Sequence, residues 1–228
     1  MIQEYLEFAK SHPELFSNDE AMLKLELNSN IIGNWMNRRR KELAENRSPI
    51  EWADIGIILK DKYIIVIRDL VEFPDGNKGS YFRILNQADL HGGQGVVVLP
   101  TMNGKYLLLR QYRHPIRSWS YEIPRGFGEP GILAEQQAKN EILEEIKGEI
   151  NNIIDLGVYH SNTGLEGNKV KLFFASLNSI GEPERLEGIE SYRWVTLTEL
   201  ENMIATASIT DGFTIAAYTR AKLLGLLK

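Results

Sequence analysis

One amphipathic helix, predicted over Leu133–Lys147, constrains the fold of this chain more than any other segment. At about 100° per residue, Glu144 and Glu145 fall within about 60° of Glu141 on the helix surface. The same side carries small or polar residues, namely Ala134, Gln137 and Ala138. The opposite side collects apolar residues, namely Ile132, Ile142, Leu143, Ile146 and Ile150. One face is therefore expected to be apolar and the other to present three carboxylates.

Two interpretations of the carboxylate face follow from its charge. Carboxylates within one helical turn repel one another by a few tenths of a kcal/mol per pair, and a hard divalent cation bound through oxygens would compensate. Alternatively, the face is a solvated Glu-rich surface, which is common. The turn before the helix, Glu122-Ile-Pro-Arg-Gly-Phe-Gly-Glu-Pro-Gly, favours the first interpretation, because glycine lets backbone approach a bound group closely.

The rest of the chain mixes helices and strands. Residues 1–50 are predicted to be helical, with segments Glu4–Lys10, Asp19–Leu27 and Ile31–Glu45. Strands are predicted at Gly56–Leu59, Tyr63–Arg68, Ser80–Leu85, Val96–Leu99, Tyr106–Gln111, Ile153–Tyr159, Val170–Leu177 and Tyr192–Val195. Helices are predicted at Thr198–Ala205 and Thr214–Leu227. This order indicates an α+β fold, arranged as an α/β/α sandwich.

Composition excludes several classes of function. The 26 basic and 31 acidic side chains leave a net charge of −5, which argues against nucleic-acid and membrane partners. A basic run, Arg38–Lys41, is typical of a solvated helix end near the macrodipole more often than of a nucleic-acid site. Cysteine is absent, which removes disulfides and thiolate metal sites. No apolar run approaches the ~18 residues of a membrane span, so we expect a soluble cytoplasmic protein.

The spacing of Gly126, Glu141, Glu144 and Glu145 resembles the Nudix box, G-x5-E-x7-R-E-U-x-E-E-x-G-U. Flanking segments resemble the ADP-ribose pyrophosphatase branch of that superfamily, namely Leu107-Leu-Leu-Arg-Gln-Tyr-Arg-His-Pro, Ser118-Trp-Ser-Tyr-Glu-Ile-Pro-Arg-Gly-Phe, Tyr159-His-Ser-Asn-Thr-Gly-Leu-Glu, Phe173-Phe-Ala and Ile209-Thr-Asp-Gly-Phe-Thr. The likeness runs from about residue 52 to the end, and residues 1–50 lie outside it.

This resemblance implies a Nudix α/β/α sandwich with a mixed sheet over residues 91–228. It adds a small antiparallel β-subdomain over 51–90, for dimerisation and the nucleotide pocket, after a helical extension over 1–50. Three box positions depart from the pattern: Ile132 replaces the first glutamate, Asn140 the arginine, and Lys147 the glycine, with Gly148 one place late. In the family that glutamate and arginine brace each other, so the departures remove a brace and keep the three metal-facing carboxylates.

The resemblance also implies a role for each site residue. Glu141 and Glu145 would bind the metal directly, Glu144 would bind it directly or through water, and the Arg125 carbonyl would be a further ligand. The metal would be Mg²⁺, with Mn²⁺ as the alternative. Glu144, Glu145 and Glu166 are the catalytic candidates, with Glu166 as the base or a solvated loop carboxylate. Arg113, Glu122 and Gly126 are the substrate-binding candidates, Arg113 contacting the diphosphate or forming a surface ion pair.

The implied activity is hydrolysis of a nucleoside diphosphate sugar, ADP-ribose first, to AMP and ribose 5-phosphate. The alternative is a Nudix-fold module that binds such a nucleotide without cleaving it. The resemblance further implies a homodimer acting on a small nucleotide, with Trp52, Tyr81 or Phe82 stacking on the base. The sequence does not choose among these three aromatic residues.

Overall fold

The computed structural model describes residues 1–228, which form two compact units. The first unit contains Met1–Gln87 together with the short segment Asn162–Gly167. The second contains Ala88–Ser161 and Asn168–Lys228. The three-part division inferred from the sequence stays a prediction.

The first unit is built on a four-stranded antiparallel sheet with helices at its amino-terminal end. Its elements are α1 (Ile2–Ser11), α2 (Pro13–Phe16), β1 (Lys24–Leu25), α3 (Ser29–Glu45), a 3₁₀ turn (Ile50–Ala53), β2 (Gly56–Lys60), β3 (Ile64–Glu72) and β4 (Lys78–Asn86). Strand β3 is central: β4 runs along one edge, and β2 and β1 share the other. The predicted β2–β3 hairpin is confirmed.

The predicted helix over Asp19–Leu27 is wrong. Lys24 and Leu25 instead pair with Glu72 and Val71 as a short strand. The Asn18 side chain both donates to the carbonyl of Leu25 (2.9 Å) and accepts from its N–H (2.7 Å). Good helix-forming residues are overridden here because an asparagine side chain competes for the backbone groups that a helix would use.

A buried polar network joins α1 to the sheet within the first unit. The hydroxyl of Tyr5 donates to Asp69 at 2.6 Å, and the Arg83 guanidinium holds the same carboxylate from the other side. Arg83 also donates to the carbonyl of Leu15 and lies over the ring of Phe16. Because Tyr5 and Asp69 are almost completely buried, the first residues of the chain are an integral part of this unit's core.

The second unit is built on a seven-stranded mixed sheet. Its elements are α4 (Gln87–Leu90, beginning at the last residue of the first unit), β5 (Gly95–Met102), β6 (Lys105–Arg113), β7 (Ser118–Glu122), β8 (Arg125–Gly126), α5 (Ala134–Ile146), β9 (Glu149–Tyr159), β10 (Val170–Ser179), a 3₁₀ turn (Arg185–Glu187), β11 (Ile189–Val195), α6 (Leu197–Ala205) and α7 (Gly212–Leu223). The main strand order is β11-β6-β5-β10-β9, with β7 on β6 and β8 on β5. Only β5 and β10 pair in parallel.

Helices cover both faces of this sheet. Ala138, Ile142 and Ile146 of α5 pack in one apolar cluster with alternate residues of β5 and β6. The intervening residues of those strands pack in a second cluster with α6 and α7. The predicted α+β class, the mixed sheet and the sandwich are thereby confirmed, and β5 is the central strand, whose apolar run Val96–Leu99 is fully buried. No helix has the length and apolar character needed to cross a bilayer.

Candidate active site

The loop between β7 and α5 is held by contacts that only glycine allows. A Cβ on Gly126 would lie 2.0 Å from Oε1 of Glu141, so this carboxylate rests directly against the loop backbone. A Cβ on Gly128 would lie 2.0 Å from the backbone N of Gln94, and one on Gly93 would lie 2.6 Å from the carbonyl oxygen of Gly128. These glycines let the loop backbone approach Glu141 and the Gln94 backbone closely, and the expected approach to a bound group stays a prediction.

The buried face of helix α5 differs from the apolar face predicted from its sequence. Glu141 (8% exposed) and Glu145 (2%) are buried beside Ile142 and Ile146. Leu143, predicted on the apolar face, is 57% exposed, so that prediction is wrong. Glu144 is exposed as well. The structure therefore buries two of the three predicted carboxylates together and leaves Glu144 at the edge.

Burial and mutual repulsion raise the pKa of both buried carboxylates. Burial raises the pKa of Glu145 to about 9, helped by the negative charges of Glu141 and Glu187 and opposed by Arg113 and the N–H of Arg125. Burial also raises the pKa of Glu141. A neighbouring cation would reverse both shifts, since it favours the ionised carboxylates.

One backbone N–H and one side-chain amide orient the two carboxylates. The backbone N–H of Arg125 donates to Oε2 of Glu145 at 3.2 Å. The amide of Gln137, one turn before Glu141, donates from Nε2 to Oε1 of that carboxylate at 2.7 Å. The loop thus positions the Glu145 carboxylate, and α5 itself positions that of Glu141.

A chain of ion pairs fixes the loop on its other side. Glu122 is completely buried, and Arg113 donates to its two oxygens at 2.8 and 2.9 Å. Arg125 contacts the same carboxylate at 2.7 Å and donates to Asp211 at 2.9 Å. Asp211 in turn caps α7 by accepting from Thr214. Arg113, predicted to contact a diphosphate, thus already holds a carboxylate with Nε and Nη2, and its substrate role stays a prediction.

Glu187 is the residue that sequence reasoning missed. It ends the 3₁₀ turn between β10 and β11, and its negative charge acts on both Glu141 and Glu145. The amide of Gln111 donates to the Glu187 carbonyl at 2.9 Å, and Glu184 N–H donates to the carbonyl of Glu145. No local motif marks Glu187, because strand pairing brings it to α5 from about forty residues away in the chain.

The local structure accommodates each of the three departures from the box pattern. Asn140 accepts a hydrogen bond from Gln136 at 3.0 Å and needs no distant partner. Ile132 lies in the turn, where its N–H donates to the carbonyl of Glu129. Lys147 adopts the left-handed conformation (φ 50°) at the helix end, a position where glycine is usual.

The remaining candidates lie in the first unit. Glu166 belongs to the segment Asn162–Gly167, where its N–H donates to the carbonyl of Asn162. Among the aromatic residues proposed for base stacking, Trp52, Tyr81 and Phe82 are all exposed, and Tyr81 donates to the carbonyl of Gly164. The catalytic role of Glu166 and the stacking role of an aromatic residue stay predictions.

The residues around Glu141 and Glu145 fit a hard divalent cation by their chemistry. Their donors are carboxylate oxygens that are buried together, and the all-oxygen set suits Mg²⁺ or Mn²⁺. Across residues 1–228, however, no three His, Asp or Glu side chains converge closely enough to hold a metal by themselves. A cation here would need oxygens beyond the carboxylate pair.

Comparison with known proteins agrees with this geometry. A family model described as NUDIX domain matches residues 90–214. A protein of Bacillus subtilis (strain 168) named ADP-ribose pyrophosphatase is 29% identical over 128 residues, which cover 56% of this chain and 66% of that protein, just under two thirds. A crystal structure titled as an ADP compounds hydrolase has a TM-score of 0.63 at 16% identity, covering 76% of this chain and 95% of the other, and shows a shared fold.

Proposed function

The chain belongs to the NUDIX family, and from that premise we propose that it is a pyrophosphohydrolase of nucleoside diphosphate sugars. ADP-ribose is the first substrate to test, with AMP and ribose 5-phosphate as products. The named relative supports this choice, although it is only 29% identical. The observation that carries the proposal is the buried pair Glu141 and Glu145, set against Gly126 with raised pKa values.

The chemistry of a diphosphate explains why such a pair would be useful. Water must attack phosphorus in line, and negative charge on the phosphoryl oxygens is the main obstacle. Nudix enzymes generally use divalent metal ions, and a bound Mg²⁺ neutralises that charge and acidifies water. In this chain Glu141 and Glu145 would hold the ion, with Glu144 and the carbonyl of Arg125 as further ligands. Arg125 N–H keeps the Glu145 carboxylate in place for that task.

Two loop carboxylates are proposed as candidates for the general base. Glu166 is the candidate that family resemblance suggests, and Glu187 is the candidate that the structure adds. Glu187 is exposed, and its charge reaches both buried carboxylates. An exposed carboxylate beside a cation site can accept a proton from an attacking water without a large desolvation cost.

Substrate recognition is proposed from guanidinium groups. Arg113 and Arg125 are each about one quarter exposed and flank Glu122. Because Asp211 also pairs with Arg125, the four charges cancel, and the arginines offer N–H donors rather than net charge. Arg113 Nη1 takes no part in the pair with Glu122 and would contact the diphosphate. A homodimer in which an aromatic residue of the first unit stacks on the base completes the proposal.

Product analysis tests the activity. The purified protein is incubated with ADP-ribose and Mg²⁺, and AMP is measured by chromatography for wild type, Glu145→Gln and Glu135→Gln. We expect Glu145→Gln to lose at least about 100-fold in kcat, because it removes a buried ligand. Glu135→Gln is the matched control, since Glu135 is an exposed carboxylate of the same helix paired with Lys139, and it should stay within about twofold.

The same experiment decides the alternative, a module that binds the nucleotide without cleaving it. The departures at Ile132 and Asn140 and the exposed position of Glu144 favour that alternative. ADP-ribose binding measured by calorimetry, with no AMP formed in wild type, would establish it and refute the hydrolase. A panel of other nucleotide sugars, scored by phosphate release after phosphatase treatment, then defines the substrate class.

A further inference from the structure

Gln137 is a buried polar residue that no motif accounts for. It lies on α5 one turn before Glu141 and is only 3% exposed. Its Nε2 donates to Oε1 of Glu141 at 2.7 Å. Its own oxygen, Oε1, is buried and accepts no hydrogen bond. Since Nε2 and Oε1 share one carbon atom, this free acceptor lies close to the Glu141 carboxylate.

A buried acceptor without a donor is unfavourable and rare in folded proteins, so it calls for an explanation. With Glu141 ionised, as a bound cation would favour, a flipped Gln137 would place oxygen against oxygen, so Nε2 faces Glu141. The charged groups that act on Glu141 are acidic: Glu144, Glu187 and Glu129. They add negative charge around the carboxylate that Gln137 contacts, while the positive charge of Arg113 acts on Glu145.

The site itself lacks the ligands that the amide oxygen could provide. Only two carboxylates are buried together, and no third acidic or histidine side chain converges on them closely enough to hold a metal. In addition, Ile132 and Asn140 cannot form the ion pair that usually stiffens this loop–helix junction. A neutral oxygen adds a donor for a hard cation without adding the repulsion that a further carboxylate would bring.

We propose that Gln137 is a positioning residue and an oxygen donor of the cation site, because one amide both fixes the Glu141 carboxylate and directs an unpaired oxygen beside it. The inference rests on the proposed function, which supplies the cation. In this view Gln137 holds Glu141 from within α5, where the Ile132–Asn140 departures leave no brace across the turn. This role of Gln137 distinguishes the chain from a relative that relies on an ion pair across the turn.

Metal binding to the substrate-free protein tests the inference without any turnover. Mn²⁺ affinity is measured by calorimetry and by electron paramagnetic resonance for wild type, Gln137→Met and Gln136→Met. Methionine keeps the volume of glutamine and removes both polar atoms. We expect Gln137→Met to weaken Mn²⁺ binding by about 10-fold or more. Gln136→Met is the matched control, because Gln136 is the adjacent exposed glutamine and bonds only Asn140.

Thermal unfolding separates this role from a merely structural one. Gln137→Met removes an unpaired acceptor but also the donor to the buried Glu141 carboxylate, so the metal-free Tm should fall modestly. The rise in Tm caused by saturating Mn²⁺ should shrink, because that rise depends on affinity. A lower metal-free Tm with an unchanged Mn²⁺ affinity would mean that Gln137 only packs, and would overturn the inference.

A second variant keeps the test decisive if Gln137→Met does not fold. Gln137→Leu also removes both polar atoms, so its Mn²⁺ affinity should fall by about 10-fold or more. Unchanged Mn²⁺ binding by Gln137→Leu contradicts the inference. If wild type itself binds no Mn²⁺, the proposed function fails with it. If wild type binds and the Gln137 variants match it, only the role of Gln137 is refuted.

Discussion

Replacing Gly126 by alanine tests the close approach on which the candidate site depends. The added Cβ would lie 2.0 Å from Oε1 of Glu141 and 2.1 Å from its Cδ and Oε2. An unstrained non-bonded contact needs about 3.5 Å, so the carboxylate or the loop must move by about 1.5 Å. Gly126 does not adopt a positive φ, and alanine fits the backbone. The perturbation is therefore steric and aimed at one carboxylate.

The size of this shift predicts the size of the effect. A misplacement of about 1 Å at a reacting centre lowers the rate by about 100-fold. We expect kcat/KM for ADP-ribose to fall by about that factor, which corresponds to about 2.7 kcal/mol of transition-state stabilisation. Steady-state AMP formation at saturating Mg²⁺ measures it, and calorimetry with Mn²⁺ shows whether metal binding weakens in parallel.

The control variant is Gly33→Ala, which also adds one methyl group. Gly33 lies inside α3, and a Cβ there meets no atom within 4 Å. This variant should keep full activity and gain up to about 1 kcal/mol of stability, because alanine favours a helix over glycine. Retention of activity within twofold by Gly126→Ala would refute the reasoning, since it would show that the position of Glu141 is irrelevant to the reaction.

Three further substitutions probe other contacts. Asp211→Asn keeps an N-cap but loses the charge that pairs with Arg125; we expect urea unfolding to show a loss of about 1 kcal/mol and AMP assays a several-fold lower kcat. Tyr5→Phe removes the 2.6 Å bond to buried Asp69 and should lower the free energy of unfolding by about 1–3 kcal/mol in a urea titration. An unchanged free energy would mean that the first residues contribute nothing to the core. Lys147→Gly relieves a left-handed non-glycine residue and should raise Tm by several degrees in calorimetry, an unchanged or lower Tm contradicting the strain.

Local chemistry was enough to predict most of the elements. The strands and the long helices were predicted from periodicity and turn residues, and they lie within a few residues of their observed bounds. Failures occurred where a tertiary partner or a specific side chain overrode propensity. Asp19–Leu27 is not helical because the Asn18 side chain bonds the backbone of Leu25. The short strands β7 and β8 are defined by their pairing with β6 and β5.

For the site, the sequence by itself determined the glycine-bearing turn, the helix after it and the carboxylates at one-turn spacing, since these depend on the geometry of consecutive residues. Only the tertiary structure decided which of those carboxylates are buried, because burial depends on what packs against the helix. It separated Glu144 from Glu141 and Glu145, exposed Leu143, and brought Glu187 in from a distant turn. Local spacing fixes which side chains can meet, and the packing of sheet and helix fixes which of them do.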